Sequence, residues 1–113
     1  MNSLELSIGP WAGFYTQGDS MLKHHMELDL TFAAGTVIGD GLDDIGPFLI
    51  KGRYNLDTRE VSWMKSYIGG HGIYYRGFSE NNIISGNWEI FGQALGSFRI
   101  RPVNNGPLKE SKQ

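Results

Sequence analysis

Apolar residues recur at every second position through most of the chain, and the breaks between these runs are short and rich in glycine, asparagine and aspartate. The clearest run covers residues 20–32. There Leu22, His24, Met26, Leu28, Leu30 and Phe32 fall on one side, and Lys23, His25, Glu27, Asp29 and Thr31 on the other. A period of two belongs to a half-buried strand, since a helix repeats its apolar residues every three to four positions.

The same reading predicts a first strand over residues 11–17, extended backwards in phase by Leu4, Leu6 and Ile8 and ended by the turn dipeptide Gly18-Asp19. A short third strand is expected over 36–39, with Asp40-Gly41-Leu42-Asp43-Asp44 as a loop. The fourth covers 47–54, with Phe48, Ile50 and Tyr54 opposed to Lys51 and Arg53. After the turn cluster Asn55-Leu56-Asp57-Thr58, a fifth strand places Val61, Trp63, Lys65 and Tyr67 on one face, up to Gly69-Gly70. Ile73, Tyr75 and Gly77 mark a sixth, Ile84, Gly86 and Trp88 a seventh, and Phe98 and Ile100 the last.

Sequential strands with short connections pair with their neighbours, and about eight of them suffice to close a sheet and remove its edges. The expected fold is therefore all-β: a single antiparallel up-and-down barrel of about eight strands over residues 1–103, with a flexible tail over 104–113. Glycines inside strands, such as Gly52, Gly77, Gly86 and Gly96, would serve sharp curvature or close side-chain stacking.

Composition narrows the function classes. With 113 residues the chain holds one core, and 40% apolar content with 16 glycines suits a turn-rich globular domain. A net charge of −2 without a Lys/Arg cluster in the sequence argues against nucleic acid. The absence of cysteine excludes disulfides and thiolate metal sites. The opening residues lack the basic start and apolar run of a signal peptide, and no apolar stretch is long enough to span a membrane as a helix, so a cytoplasmic protein without a membrane partner is expected.

Gly9-Pro10-Trp11 resembles the G-x-W signature that opens the first strand in the calycin superfamily of lipocalins, fatty-acid-binding proteins and avidins. That resemblance implies a tryptophan packed across one barrel end against a basic residue of the last strand, a place Arg99 or Arg101 would fill as a structural partner of Trp11. The segments Gly39-Asp40-Gly41, Gly46-Pro47-Phe48, Val61-Ser62-Trp63-Met64-Lys65-Ser66-Tyr67, Tyr75-Arg76-Gly77 and Gly86-Asn87-Trp88 are also similar to a family of small bacterial proteins of unassigned activity. The resemblance implies a lipocalin-like or avidin-like fold and a homodimer. An avidin-type biotin site needs an asparagine two residues after the tryptophan, where this chain has Gly13.

Lys65 stands out among candidate site residues, because an ammonium facing inward among aromatics must be paired or neutralised. It would anchor a carboxylate or phosphate head group, supply a reactive amine, or pair with an acid such as Glu89. Tyr15, Tyr54, Tyr67, Tyr75, Trp63 and Trp88, all assigned inward, would either line an amphipathic pocket or fill a narrow barrel. His24 and His25 point to opposite faces and cannot share a metal, while His24 and His71 would meet only through the tertiary fold. Asp40, Asp43 and Asp44 lack the EF-hand pattern, with Leu42 at a ligand position, and read as turn formers. No nucleophile elbow or nucleotide loop is present.

Three functions follow in order. The first is a non-enzymatic barrel taking a small amphipathic or anionic molecule, with Lys65, Tyr15, His24, Trp63, Tyr67, Tyr75 and Trp88 as ligand-binding residues and neither metal nor cofactor. The second is a structural or interaction module, plugged by its own aromatics and dimerising through an outer face near Met64, Tyr74 or Phe78. An enzyme acting through His24 or Lys65 ranks third, because no spacing supports a catalytic pair.

Overall fold

Each alternating run forms a strand. The computed structural model describes residues 6–103 and contains β1 (Gly9–Gln17), β2 (His24–Ala33), β3 (Thr36–Asp43), β4 (Pro47–Tyr54), β5 (Glu60–Tyr67), β6 (Gly72–Glu80), β7 (Ile83–Ile90) and β8 (Ala94–Pro102). Every strand pairs antiparallel with the next, and β8 returns to β1 through Trp11↔Pro102 to Gln17↔Gly96, which closes the barrel. Closure pairs both edges of the sheet, so no strand among the described residues presents an open ladder. No helix in these residues is long and apolar enough to cross a membrane.

The interior is built from the predicted phase: Met26, Leu28, Leu30 and Phe32 from β2, Val61, Trp63, Lys65 and Tyr67 from β5, and Ile73 and Tyr75 from β6 are all buried. Rings fill the middle of the barrel. Trp63 stacks on Tyr75 with centroids 5.6 Å apart, and Phe98 packs edge-on against both. The glycines make room for them. A Cβ on Gly52 would lie 1.9 Å from the Ser62 carbonyl and 2.5 Å from the Trp63 Cα, and one on Gly77 would meet the Ser85 carbonyl at 2.3 Å. Trp63 Nε1 lies in this packed layer without a hydrogen-bond partner among the described residues.

One end of the barrel is shut. Trp11 packs on Phe32 at 5.9 Å, Phe32 meets Tyr54 edge-on at 5.5 Å, and the Trp11 indole donates to the Ser7 carbonyl at 2.9 Å. Two-residue turns at this end, Ala34-Gly35 and Asn81-Asn82, place both residues at positive φ, the geometry that matches the twist of a tight hairpin.

Three expectations are corrected. Arg99 and Arg101 do not stack on Trp11: they alternate out of phase with buried Phe98 and Ile100 and stand exposed on the outer surface, so Ser7 and Phe32 take the partner's place. β3 does not stop at 39 but continues to Asp43, because Gly39↔Leu30, Gly41↔Leu28 and Asp43↔Met26 still pair. β2 begins at His24, and Leu22 before it is exposed. Leu4 and the tail expected over 104–113 lie outside the described residues.

Candidate functional site: the barrel mouth

The end opposite Trp11 carries the connections 18–23, 44–46, 68–71 and 91–93. Between them opens a pocket of about 240 Å³ whose walls include Tyr15, His24, Asp44, Tyr67, His71, Tyr75 and Trp88. Strand ends place most of these side chains. Tyr15 lies near the end of β1, His24 starts β2, Tyr67 ends β5, and Trp88 approaches the end of β7, all turned inward. His71 and Asp44 come from connections.

A polar network ties the rim together. The Tyr15 hydroxyl donates to Asp44 Oδ1 at 2.7 Å, and His24 Nδ1 lies 2.7 Å from Asp44 Oδ2, so that nitrogen carries the shared proton. The Tyr15 and His24 rings stack with centroids 4.8 Å apart, and Trp88 meets Tyr15 edge-on at 6.3 Å. The hydrogen bond from Tyr15, together with that from His24, holds the Asp44 carboxyl below its usual range against the opposing effect of burial. Burial first, and the hydrogen bond to Asp44 second, push the Tyr15 hydroxyl far above the ordinary tyrosine value.

Beneath the pocket lies a second network. Lys65 Nζ sits 2.5 Å from Asp43 Oδ2, 3.2 Å from the Tyr75 hydroxyl and 3.9 Å from the Met26 sulfur. The rings of Phe48, Tyr15, Tyr67 and Tyr75 surround it at 4.5 to 5.3 Å. Asp43 is equally well occupied: Oδ2 also accepts from the Tyr67 hydroxyl at 2.6 Å, while Oδ1 accepts the backbone N–H groups of Ile45 and Gly46. Burial drives the Lys65 amine below the ordinary lysine value and the Asp43 carboxylate works against that shift. Burial likewise raises the Tyr67 and Tyr75 hydroxyls far above their usual value.

The structure thus brings Tyr15, His24, Tyr67, Tyr75 and Trp88 to one pocket and leaves two expected ligand residues outside it. Trp63 lies deeper, in the packed layer with Tyr75 and Phe98. Lys65 is not a free anchor, because its charge is matched by Asp43; Glu89, the acid suggested by sequence, pairs with outward Tyr74 on β6 and faces away. Asp44 and His71 complete the pocket wall, and Asp43 lies beneath it with Lys65. The sequence signal for Asp43 is its spacing to Gly46, an aspartate-headed turn that leaves one carboxylate oxygen free to face inward.

Comparison of the chain with protein-family models, with curated proteins and with solved structures finds no match.

Proposed function

We propose that the protein is a calycin-like binding barrel that receives a compact amphipathic molecule at its mouth and performs no chemistry on it. The observation that carries this reading is the aromatic pocket with a fixed polar rim, in which Asp44 is already oriented by Tyr15 and His24. Ligand pockets for drug-sized molecules run to roughly 300–1,000 Å³. At about 240 Å³ this one suits a single ring or a short branched chain rather than a long acyl tail. Since Lys65 is spent on Asp43 and the rim presents a carboxylate, the ligand's polar end is a hydrogen-bond donor rather than an anion.

Native mass spectrometry of the purified protein, under gentle and then denaturing conditions, tests this. A stoichiometric small mass that is lost on denaturation, and is absent from Ala94→Trp, which fills the pocket wall, supports the reading. No bound mass in either protein, together with no saturable binding in a screen of small amphipathic compounds, overturns it.

A second reading rests on a different observation. On the outer wall Met64 is paired across the ladder with Tyr74, and these two and Phe78 are 44%, 40% and 47% exposed. With a centre packed by Trp63, Tyr75 and Phe98, such a barrel also suits a homodimeric interaction module. A clean dimeric mass without ligand favours that alternative.

A further inference from the structure

The outer wall formed by β8, β1 and β2 gathers cations that are far apart in the chain. Ladder register places outward residues in two rows across these strands: Arg99, Phe14 and His25 in one, and Arg101, Ala12 and Glu27 in the next. Neighbouring strands lie about 4.8 Å apart, so β8 and β2 side chains face each other over β1 across a gap of about 10 Å. Ala12, the outward β1 residue of the second row, is too small to fill that gap. The result is an open groove of about 480 Å³ with Arg99 and Arg101 on one wall, and Lys23 and His25 on the other.

The charges in this groove are uncompensated. Lys23, Arg99 and Arg101 form no ion pair among the described residues, and Glu27 at the groove's end is turned to His25 at 3.4 Å. Lys23 is nonetheless held in place, with Nζ 4.6 Å over the Phe14 ring. Three cations on a groove whose lining includes no acidic side chain are not a by-product of basic composition, because the chain carries 10 basic against 12 acidic residues. Two guanidinium forks side by side, with an ammonium across from them, match the several oxygens and double negative charge of a phosphate group better than a single carboxylate.

We propose that this groove binds the phosphate group of a small phosphorylated molecule, Arg99 and Arg101 donating from one wall and Lys23 from the other. The site is separate from the mouth: Ala12 and Arg101 lie toward the Trp11 end, on the outside of the wall, and the two grooves share no residue.

Backbone amide NMR titration of the full chain with pyrophosphate, inorganic phosphate and citrate tests the assignment. Saturable shifts for pyrophosphate at Ala12, Gly13, Arg99, Ile100 and Arg101 are expected, with weaker saturation by phosphate and weaker still by citrate. Charge-assisted hydrogen bonds of this kind correspond to roughly tenfold or more in affinity, so Arg99→Gln/Arg101→Gln should weaken pyrophosphate at least that much. Arg76→Gln, elsewhere on the outer wall, and Ala94→Trp, at the mouth, should bind as the unaltered protein does. Non-saturating shifts, equal binding of citrate, or undiminished binding by the folded double variant overturns the proposal.

Discussion

The Lys65 ammonium and the Asp43 carboxylate meet inside the barrel, bridging β5 and β3 over the intervening β4, with their side chains 1% and 0% exposed. Removing one member of a buried pair leaves the other charge stranded, at a cost of roughly 3–5 kcal/mol. Lys65→Met should therefore lower stability by about that amount in urea unfolding. Lys65→Met/Asp43→Asn should recover part of the loss, since asparagine keeps an oxygen for the Ile45 and Gly46 N–H groups and carries no charge. A double variant less stable than Lys65→Met would show that the carboxylate is held by its turn and Tyr67 rather than by the lysine.

Glycine at position 52 is required by the packing of β4 on β5. Any side chain there starts within 2 Å of the Ser62 carbonyl and 2.5 Å from the Trp63 Cα, both backbone atoms that cannot rotate away. Gly52→Ala is expected to cost roughly 1–3 kcal/mol or more, read as a lowered denaturation midpoint. Gly69→Ala serves as the contrast: its loss arises from backbone conformation at φ 77° and not from a clash, as no atom lies within 4 Å of the added carbon.

Trp11 and the arginines of β8 separate cleanly in their expected effects. Trp11→Ala removes a buried ring from the shut end and should cost roughly 3–5 kcal/mol. Arg99→Ala and Arg101→Ala, exposed and without ion pairs among the described residues, should each stay within about 0.5 kcal/mol. Chemical denaturation of the three single variants checks this. Comparable losses at Arg101 and Trp11 would restore the stacked arrangement that the resemblance implied.

Stability should fall on the alkaline side. Tyr15, Tyr67 and Tyr75 hold their protons more tightly folded than unfolded, so their contribution is intact below the unfolded value of about 10 and is lost as pH rises beyond it. Tyrosinate absorbance from these three should appear together with loss of the near-ultraviolet circular dichroism signal. Full ionisation of all five tyrosines in a protein that keeps that signal would contradict the buried hydroxyl network. Asp44 works at the other end of the scale: its carboxyl is depressed on folding, so its contribution is present above the unfolded aspartate value and disappears as pH falls through the folded one.

The strands were legible where the inward positions carried large apolar side chains, as in β2, β4 and β5. β3 was not, beyond its first residues, and the reason is chemical. Its inward positions after Val37 are Gly39, Gly41 and Asp43, so alternation is invisible to a hydrophobic reading. The two glycines are there because Leu30 and Phe48 occupy the space above them, and the aspartate because Lys65 faces it. Each of those reasons is a partner on another strand. Inward placement of Lys65 and the tyrosines followed from period alone, whereas the identity of the acid required knowing that β3 and β5 flank β4 in a closed barrel. The cations of the outer groove were hidden for the same cause: Lys23 and Arg99 stand next to β1 from opposite sides and far apart in sequence.

The ladder between β1 and β8 has a consequence for how the molecule is made. Strands β1 to β7 can pair as they leave the ribosome, yet Tyr15 and Gly13 find Phe98 and Ile100 only when nearly all of the barrel has been synthesised. Until then β1 and the newest strand each present an unpaired ladder, and the Lys65–Asp43 pair sits in a trough open to water. Long-range closure of this kind slows folding and leaves a window for edge-to-edge association between nascent chains. A chain cut before Ala94 would be fixed permanently in that window, with seven strands formed and nothing to seal them.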